Sequence, residues 1–292
     1  MSARSRGGRL LAAGAGAVTA RWVLRAIGGS RYAGPLRRTN FHGRQVTLAA
    51  GPALATGAAL AAAAGSPSVP AASAALVAGL GSGAVGLYDD VVGARPEQKA
   101  DKGFAGHLRA LSEGRVSSGL VKIAGVGAAG LAAAALLAAD PTVRRHPRRT
   151  GGALARGVDV LLGAGVVAGT ANLINLLDLR PGRAAKAALL VGAPLATGPA
   201  GGLVAGPLGA TAAVLPADLD ERVMLGDSGA NALGALLGVA LAARTGPRGR
   251  AGILAALVAL TAASERVSFT RVIQSTPVLR ELDALGRLPT EP

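Results

Sequence analysis

Three short stretches place carboxylates and amides where their neighbours are apolar. In GLYDD, residues 86–90, Asp89 and Asp90 directly follow the last apolar residues of a Gly- and Ala-rich run. In TANLINLLDLRPG, residues 170–182, Asn172 and Asn175 lie about one helical turn apart and lead to Asp178. In ERVMLGDSGANALG, residues 221–234, Asp227 opens an apolar run and Asn231 follows one turn later. Ionisable and amide groups at membrane depth are costly and usually line a cavity or a pathway. The chain has no cysteine and 3 histidines, so the available donors are oxygens. Such donors suit a hard cation, Mg2+ first and Mn2+ as its alternative, because Mg2+ takes one or two carboxylates and fills its shell with water and substrate phosphates. Arg37, Arg38, Arg44, Lys99, Lys102, Arg180 and Arg183 stand in the neighbouring loops and would draw phosphates. Each cluster also has a structural reading. Asp90 and Asp227 would serve as helix N-terminal caps, the asparagines as bonds between helices, and the basic residues as ordinary loop charge.

The elements that must hold these groups are apolar helices. The chain of 292 residues is 50% hydrophobic and 16% charged, with a mean hydropathy of +0.43, against about 25% charged in a soluble domain. Apolar blocks fall near 9–28, 47–64, 70–88, 117–139, 153–177, 185–199, 200–217, 228–243 and 250–264. Backbone groups in lipid must be satisfied internally, so each block is expected to be a helix. The sequence therefore predicts an all-α, polytopic membrane bundle of about nine to ten transmembrane helices, folded as one domain over 1–292. The sixth and seventh blocks are short and rich in Gly and Pro, as broken or re-entrant helices are. The N-terminus loosely resembles a signal peptide and is read as a retained first helix. A soluble Ala/Gly-rich protein is the weaker alternative, since so many consecutive runs lack charge.

The net charge of +15 would point to nucleic acid in a soluble protein. Here the arginines sit between apolar blocks, where they set topology and meet anionic membrane lipids, so no nucleic-acid partner is expected. Nine crossings starting outside bring the loops at 29–46, 89–116, 178–186 and 218–227 and the tail from 265 to one face, which the excess of Lys and Arg marks as cytoplasmic. All three acidic clusters then share that face.

GLYDD, ANLINLLD and MLGDSGANALG, in this order and spaced between membrane helices, resemble the hallmarks of the polyprenyl-phosphate N-acetylhexosamine-1-phosphate transferases. This family includes phospho-MurNAc-pentapeptide translocase and the UDP-GlcNAc:undecaprenyl-phosphate GlcNAc-1-phosphate transferases. The likeness runs over about residues 30–275. It implies a multi-helix plasma-membrane bundle with a cytoplasmic active site. The reaction it implies is transfer of a sugar-1-phosphate from a UDP-sugar to a polyprenyl phosphate, undecaprenyl or decaprenyl, with release of UMP in envelope glycopolymer synthesis. By the same likeness Asp89 and Asp90 are catalytic, Asn172, Asn175 and Asp178 line the nucleotide-sugar site, and Asp227 binds Mg2+. A homodimer is left open. The chain departs from the family in having Leu179 and Pro181 after the second motif, and in a tail, SERVSFTRVIQSTP, without the family's histidines. Arg266 and Arg271 are expected to replace them as phosphate ligands, with His107 as another candidate. Two rivals remain beside this reading. One is a non-catalytic relative that binds lipid phosphate or an assembly partner; the other is a transporter.

Overall fold

The structure is a computed structural model that describes residues 3–95, 103–142, 152–198 and 200–289. Helices stand at every apolar block. They are α1 (Ala3–Gly28), α2 (Ala50–Ala64), α3 (Val69–Val92), α5 (Ser118–Ala139), α6 (Ala153–Leu177), α7 (Arg183–Leu195), α8 (Gly202–Leu219), α9 (Gly226–Arg244) and α10 (Pro247–Ser264). The polar segments add a short amphipathic α4 (Gly103–Ser112) and two tail helices, α11 (Phe269–Ser275) and α12 (Pro277–Ala284). Several starts are written locally. Ser68 accepts the Ala71 N–H at the head of α3, Ser117 that of Leu120 at α5, and Ser268 that of Arg271 at α11.

Expected as pure loop, the segment after α1 instead holds a 3-10 turn (Arg31–Leu36) and a two-stranded antiparallel hairpin, β1 (Arg37–Thr39) and β2 (Gln45–Thr47). Thr47 bridges in parallel to Val223, and the Met224 N–H donates to the Thr47 carbonyl at 2.9 Å. The hairpin thus docks on the turn that leads into α9.

α9 is the axis of the bundle. It packs against α2, α3 and α6, and nearly every residue from Ser228 to Ala242 is buried. α1 closes on α2 and α8, while α10 leans on α6. Small residues set these distances: a Cβ on Gly57 would stand 2.8 Å from the Ala20 nitrogen, and one on Gly238 2.6 Å from the Val167 Cα. Lipid supplies no hydrophobic drive between helices, so such close van der Waals contact is what holds them.

Five helices are long and apolar enough to cross a membrane, at 6–28, 69–92, 118–139, 153–177 and 202–219, and a sixth if α10 and α11, bent by 94°, count as one span. This is an all-α bundle suited to a membrane. α2 and α7 have 15 and 13 residues, roughly 22 and 20 Å at 1.5 Å per residue, short of a hydrocarbon core of about 30 Å. α9 is buried from Ser228 to Ala240, so it can carry Asn231 without meeting lipid, while Asp227 at its head is partly exposed and Arg244 at its end is exposed.

α10 is fastened by one buried cation. Arg250 donates from Nε and Nη2 to the Ala242 carbonyl at 3.1 and 2.7 Å, and its Nη1 pairs with Asp159 of α6 at 2.8 Å. Replacing Arg250 with alanine is expected to cost about 2 kcal/mol, the scale of lost hydrogen bonds to a charged donor. Thermal unfolding in detergent should show a lower midpoint; an unchanged midpoint would mean that α10 is held by its apolar face alone.

Candidate functional site

The first turn of a helix leaves its N–H groups without intrahelical partners. At the head of α9 the N-cap position is Leu225, which has no side-chain oxygen to offer. Carboxylates from two other helices supply what is missing. Asp90, in the last turn of α3, accepts the Asp227 N–H on Oδ1 at 3.0 Å and the Ser228 N–H on Oδ2 at 2.9 Å. Asp178, capping the C-terminus of α6, accepts from the Gly226 backbone. Negative charge at a helix N-terminus is favoured by the macrodipole as well as by these bonds. Burial first, and then Asp218, Asp227 and Asp90, push the Asp178 carboxyl well above the usual carboxylate range.

This arrangement needs backbones in contact. A Cβ on Gly86 would lie 2.7 Å from the Ser228 nitrogen, and one on Gly226, whose φ is 60°, would lie 2.9 Å from Asp90 Oδ1. Glycine meets both demands, a close approach and a left-handed backbone.

Beside the cap, Asp89 and Asp227 share one cation. The Lys122 ammonium, from the second turn of α5, stands 2.6 Å from Asp89 Oδ2 and 2.6 Å from Asp227 Oδ2. The side chains are 21%, 13% and 26% exposed for Lys122, Asp89 and Asp227, so the triad opens to its surroundings rather than being sealed in the core. Lys122 was not among the basic residues singled out from the sequence. Its signal was there, as the one charge within SGLVKIAGVGAAG.

The four aspartates named from the sequence therefore meet at one end of the bundle, in two roles. Asp90 spends both carboxylate oxygens on the α9 backbone, and Asp178 also bonds to it, whereas Asp89 and Asp227 face the cation. Asn231 is buried and donates to the Asp227 carbonyl at 2.8 Å. Asn172 donates to Thr261 of α10 at 3.1 Å, a bond between helices. The Asn175 amide makes no hydrogen bond among the described residues. Arg266 and Arg271 are exposed and bond to none of the four aspartates. Lys99 and Lys102 lie outside the described residues, as does the side chain of His107.

The tail reaches the site region by another route. Asp283 of α12 pairs with Arg183 at 2.8 Å and with Arg287 at 2.6 Å, and these hydrogen bonds outweigh its burial and hold its carboxyl below the usual range. Lys186 donates to the carbonyls of Leu282 and Leu285 at 2.9 and 3.1 Å, and Arg287 to that of Pro181 at 2.8 Å. The tail is folded back onto the turn that carries Asp178. Next to it, Asn40, Phe41, Asp178, Arg180, Asp218 and Met224 line a cavity of about 20 Å3, room for a water molecule. The Arg180 guanidinium stacks 3.1 Å from the Phe41 ring centroid, and its buried Nη1 has no hydrogen-bond partner. On the hairpin side Glu221, at φ 54°, accepts from His42 Nδ1 at 2.8 Å and from Asn40.

Among the described residues no group of three or more His, Cys, Asp or Glu is gathered around one point as a metal cage. The Asp89–Asp227 pair fits a hard cation of another kind: two carboxylates already directed at one positive centre, with the rest of the shell left to water and phosphate. Comparison with protein-family models and with curated proteins gives no match to this chain.

Removing the carboxylate of Asp90 tests the cap. Asp90→Ala is expected to destabilise by about 1–2 kcal/mol and to speed hydrogen exchange at the amides of residues 227 and 228. Asp90→Asn keeps an acceptor and should retain most of the protection. Equal exchange in the wild type and in Asp90→Ala would show that the turn finds its partners elsewhere.

Proposed function

We propose that this chain is a Mg2+-dependent membrane enzyme that transfers a sugar-1-phosphate, of the N-acetylhexosamine class, from a UDP-sugar to a polyprenyl phosphate. The observation that carries this reading is the meeting of three separate sequence motifs at the first turn of α9, where Asp89 and Asp227 face one cation. In the reaction, an oxygen of the lipid phosphate bonds to the sugar-bearing phosphorus of the donor. The bond from that phosphorus to the bridging oxygen breaks, and UMP leaves with the oxygen. A lipid phosphate is already ionised near neutral pH, so the task is to bring two anions together in line. Asp89 and Asp227 would hold Mg2+, or Mn2+ in its place, which when bound offsets the charge gathered on the phosphates. Asp90 and Asp178 fix the helix end from which Asp227 projects. Lys122, rather than Arg266 or Arg271, is the cation in contact with both carboxylates and would be able to meet a phosphate there.

In this reading the nine apolar helices enter or cross the plasma membrane, with the hairpin, the tail and the site at the cytoplasmic face. A second reading, a non-catalytic relative that binds a lipid phosphate, draws on the same triad: Lys122 already neutralises part of the acidic pair, and no three-donor metal group is present among the described residues.

Purified protein given undecaprenyl phosphate, Mg2+ and a panel of UDP-sugars separates the two. The transferase reading expects UMP release with at least one donor, lost in excess EDTA and lowered roughly 10²-fold or more by Asp227→Asn, the scale of one missing electrostatic contact to the transition state. Release of no UMP from any donor by a folded wild type would favour the non-catalytic reading. Full turnover in EDTA would remove the metal from the account.

A further inference from the structure

The two carboxylates beside α9 are satisfied by a side chain of the protein itself. One ammonium, Lys122 Nζ, lies 2.6 Å from an oxygen of each. We infer that Lys122 is a built-in occupant of the Asp89–Asp227 site, and that a divalent ion enters by displacing its ammonium. The inference rests on reading that pair as a cation site.

Geometry sets the two occupants in competition for the same oxygens. Both carboxylates present Oδ2 to the same ammonium. A divalent ion that ligates both oxygens at about 2.0–2.1 Å competes with Nζ for the space the two oxygens share. Charge points the same way: two carboxylates and one ammonium leave a net negative site, whereas a divalent ion alone balances the pair. An ammonium kept at contact distance from that ion would repel it across a partly dry site. The neighbouring carboxylate of Asp90 is not open to the lysine. Asp90 has both carboxylate oxygens bound to the α9 amides.

Lysine suits a movable occupant. Its ammonium is a point charge on a flexible four-carbon stem, without the fixed fork that would lock an arginine to one carboxylate. Lys122 is 21% exposed, so the stem has an open side. Once displaced, the ammonium stays beside the ion on the second turn of α5, where it can meet a phosphate that completes the ion's shell. The site is thus held together without metal, and loading it frees a cation for an anionic substrate.

The chain has only four lysines, Lys99, Lys102, Lys122 and Lys186, so the state of one ammonium can be read by reductive methylation and mass spectrometry. Full-length protein in detergent, without substrate, is titrated with Mn2+ by electron paramagnetic resonance and methylated at each step. Methylation of Lys122 should rise about tenfold as Mn2+ saturates, while Lys186, held by α12 carbonyls, stays constant. Lys122→Met should bind Mn2+ at least tenfold more tightly than the wild type, and Asp227→Asn should abolish binding. If Mn2+ binds and depends on Asp227 but Lys122 methylation does not change, displacement is overturned and the cation site stands. If neither the wild type nor Lys122→Met binds Mn2+, the cation site itself is overturned. The methylation arm uses the wild type, so it decides even if a variant fails to fold.

Discussion

The free N–H groups at the head of α9 are the constraint from which the site follows. α9 is the most enclosed helix of the bundle, and its start cannot turn to water for all of its missing partners. Each buried N–H left alone costs about 1–3 kcal/mol, and the local sequence at Leu225 offers nothing. Asp90 and Asp178 solve this from a distance, since 137 residues separate Asp90 from the amide of Asp227. The ends of α3, α6 and α9 are thereby tied at one level. Asp89 precedes one capping residue in the chain, and Asp227 itself donates to it, so a capping requirement also sets the positions of the two carboxylates that face the cation.

Such long-distance caps need backbone placed to within tenths of an ångström, and the small residues provide it. α9 is gripped on three sides by glycine contacts. A Cβ on Gly51 of α2 would lie 2.9 Å from the Ser228 Cβ, one on Gly86 of α3 2.7 Å from the Ser228 nitrogen, and one on Gly234 2.6 Å from the Ala171 Cα of α6. Backbone against backbone leaves little freedom to slide, which large flexible side chains would not ensure. The cost is little side-chain area to bury, which matters less in lipid, where apolar burial between helices is not the driving force.

Much of this was legible in the sequence. Long apolar runs with few charges give helices, and all nine did so. The runs alone do not give the count of spans, because α2 and α7 are short and α9 is polar at its head and largely buried among its neighbours. The acidic trio stood out because ionisable residues amid apolar ones are conspicuous. For Asp90 the capping reading was open from the start, but the helix it caps is α9, and no local pattern shows that. Lys122 had the same kind of signal as the aspartates and was passed over for the charge-dense loops. The expectation for Arg266 and Arg271 came from their place after the last long helix. What draws the tail back is Asp283 with Arg183, 100 residues away, a pairing that leaves no trace in local spacing. The hairpin's three-residue strands are too short to alternate visibly.

The central claim is that Asp89 and Asp227, far apart in sequence, flank one cation position at a single end of the bundle. The chain has no cysteine, so pairs of thiols can be introduced without background. Membranes carrying Asp89→Cys with Asp227→Cys are treated with a short bifunctional thiol reagent, beside a control pair of Asp89→Cys with Arg266→Cys, and intramolecular linkage is read by mass spectrometry. The account predicts rapid linkage between positions 89 and 227 and little or none in the control. Absence of the 89–227 link while both thiols react with a monofunctional reagent would contradict it.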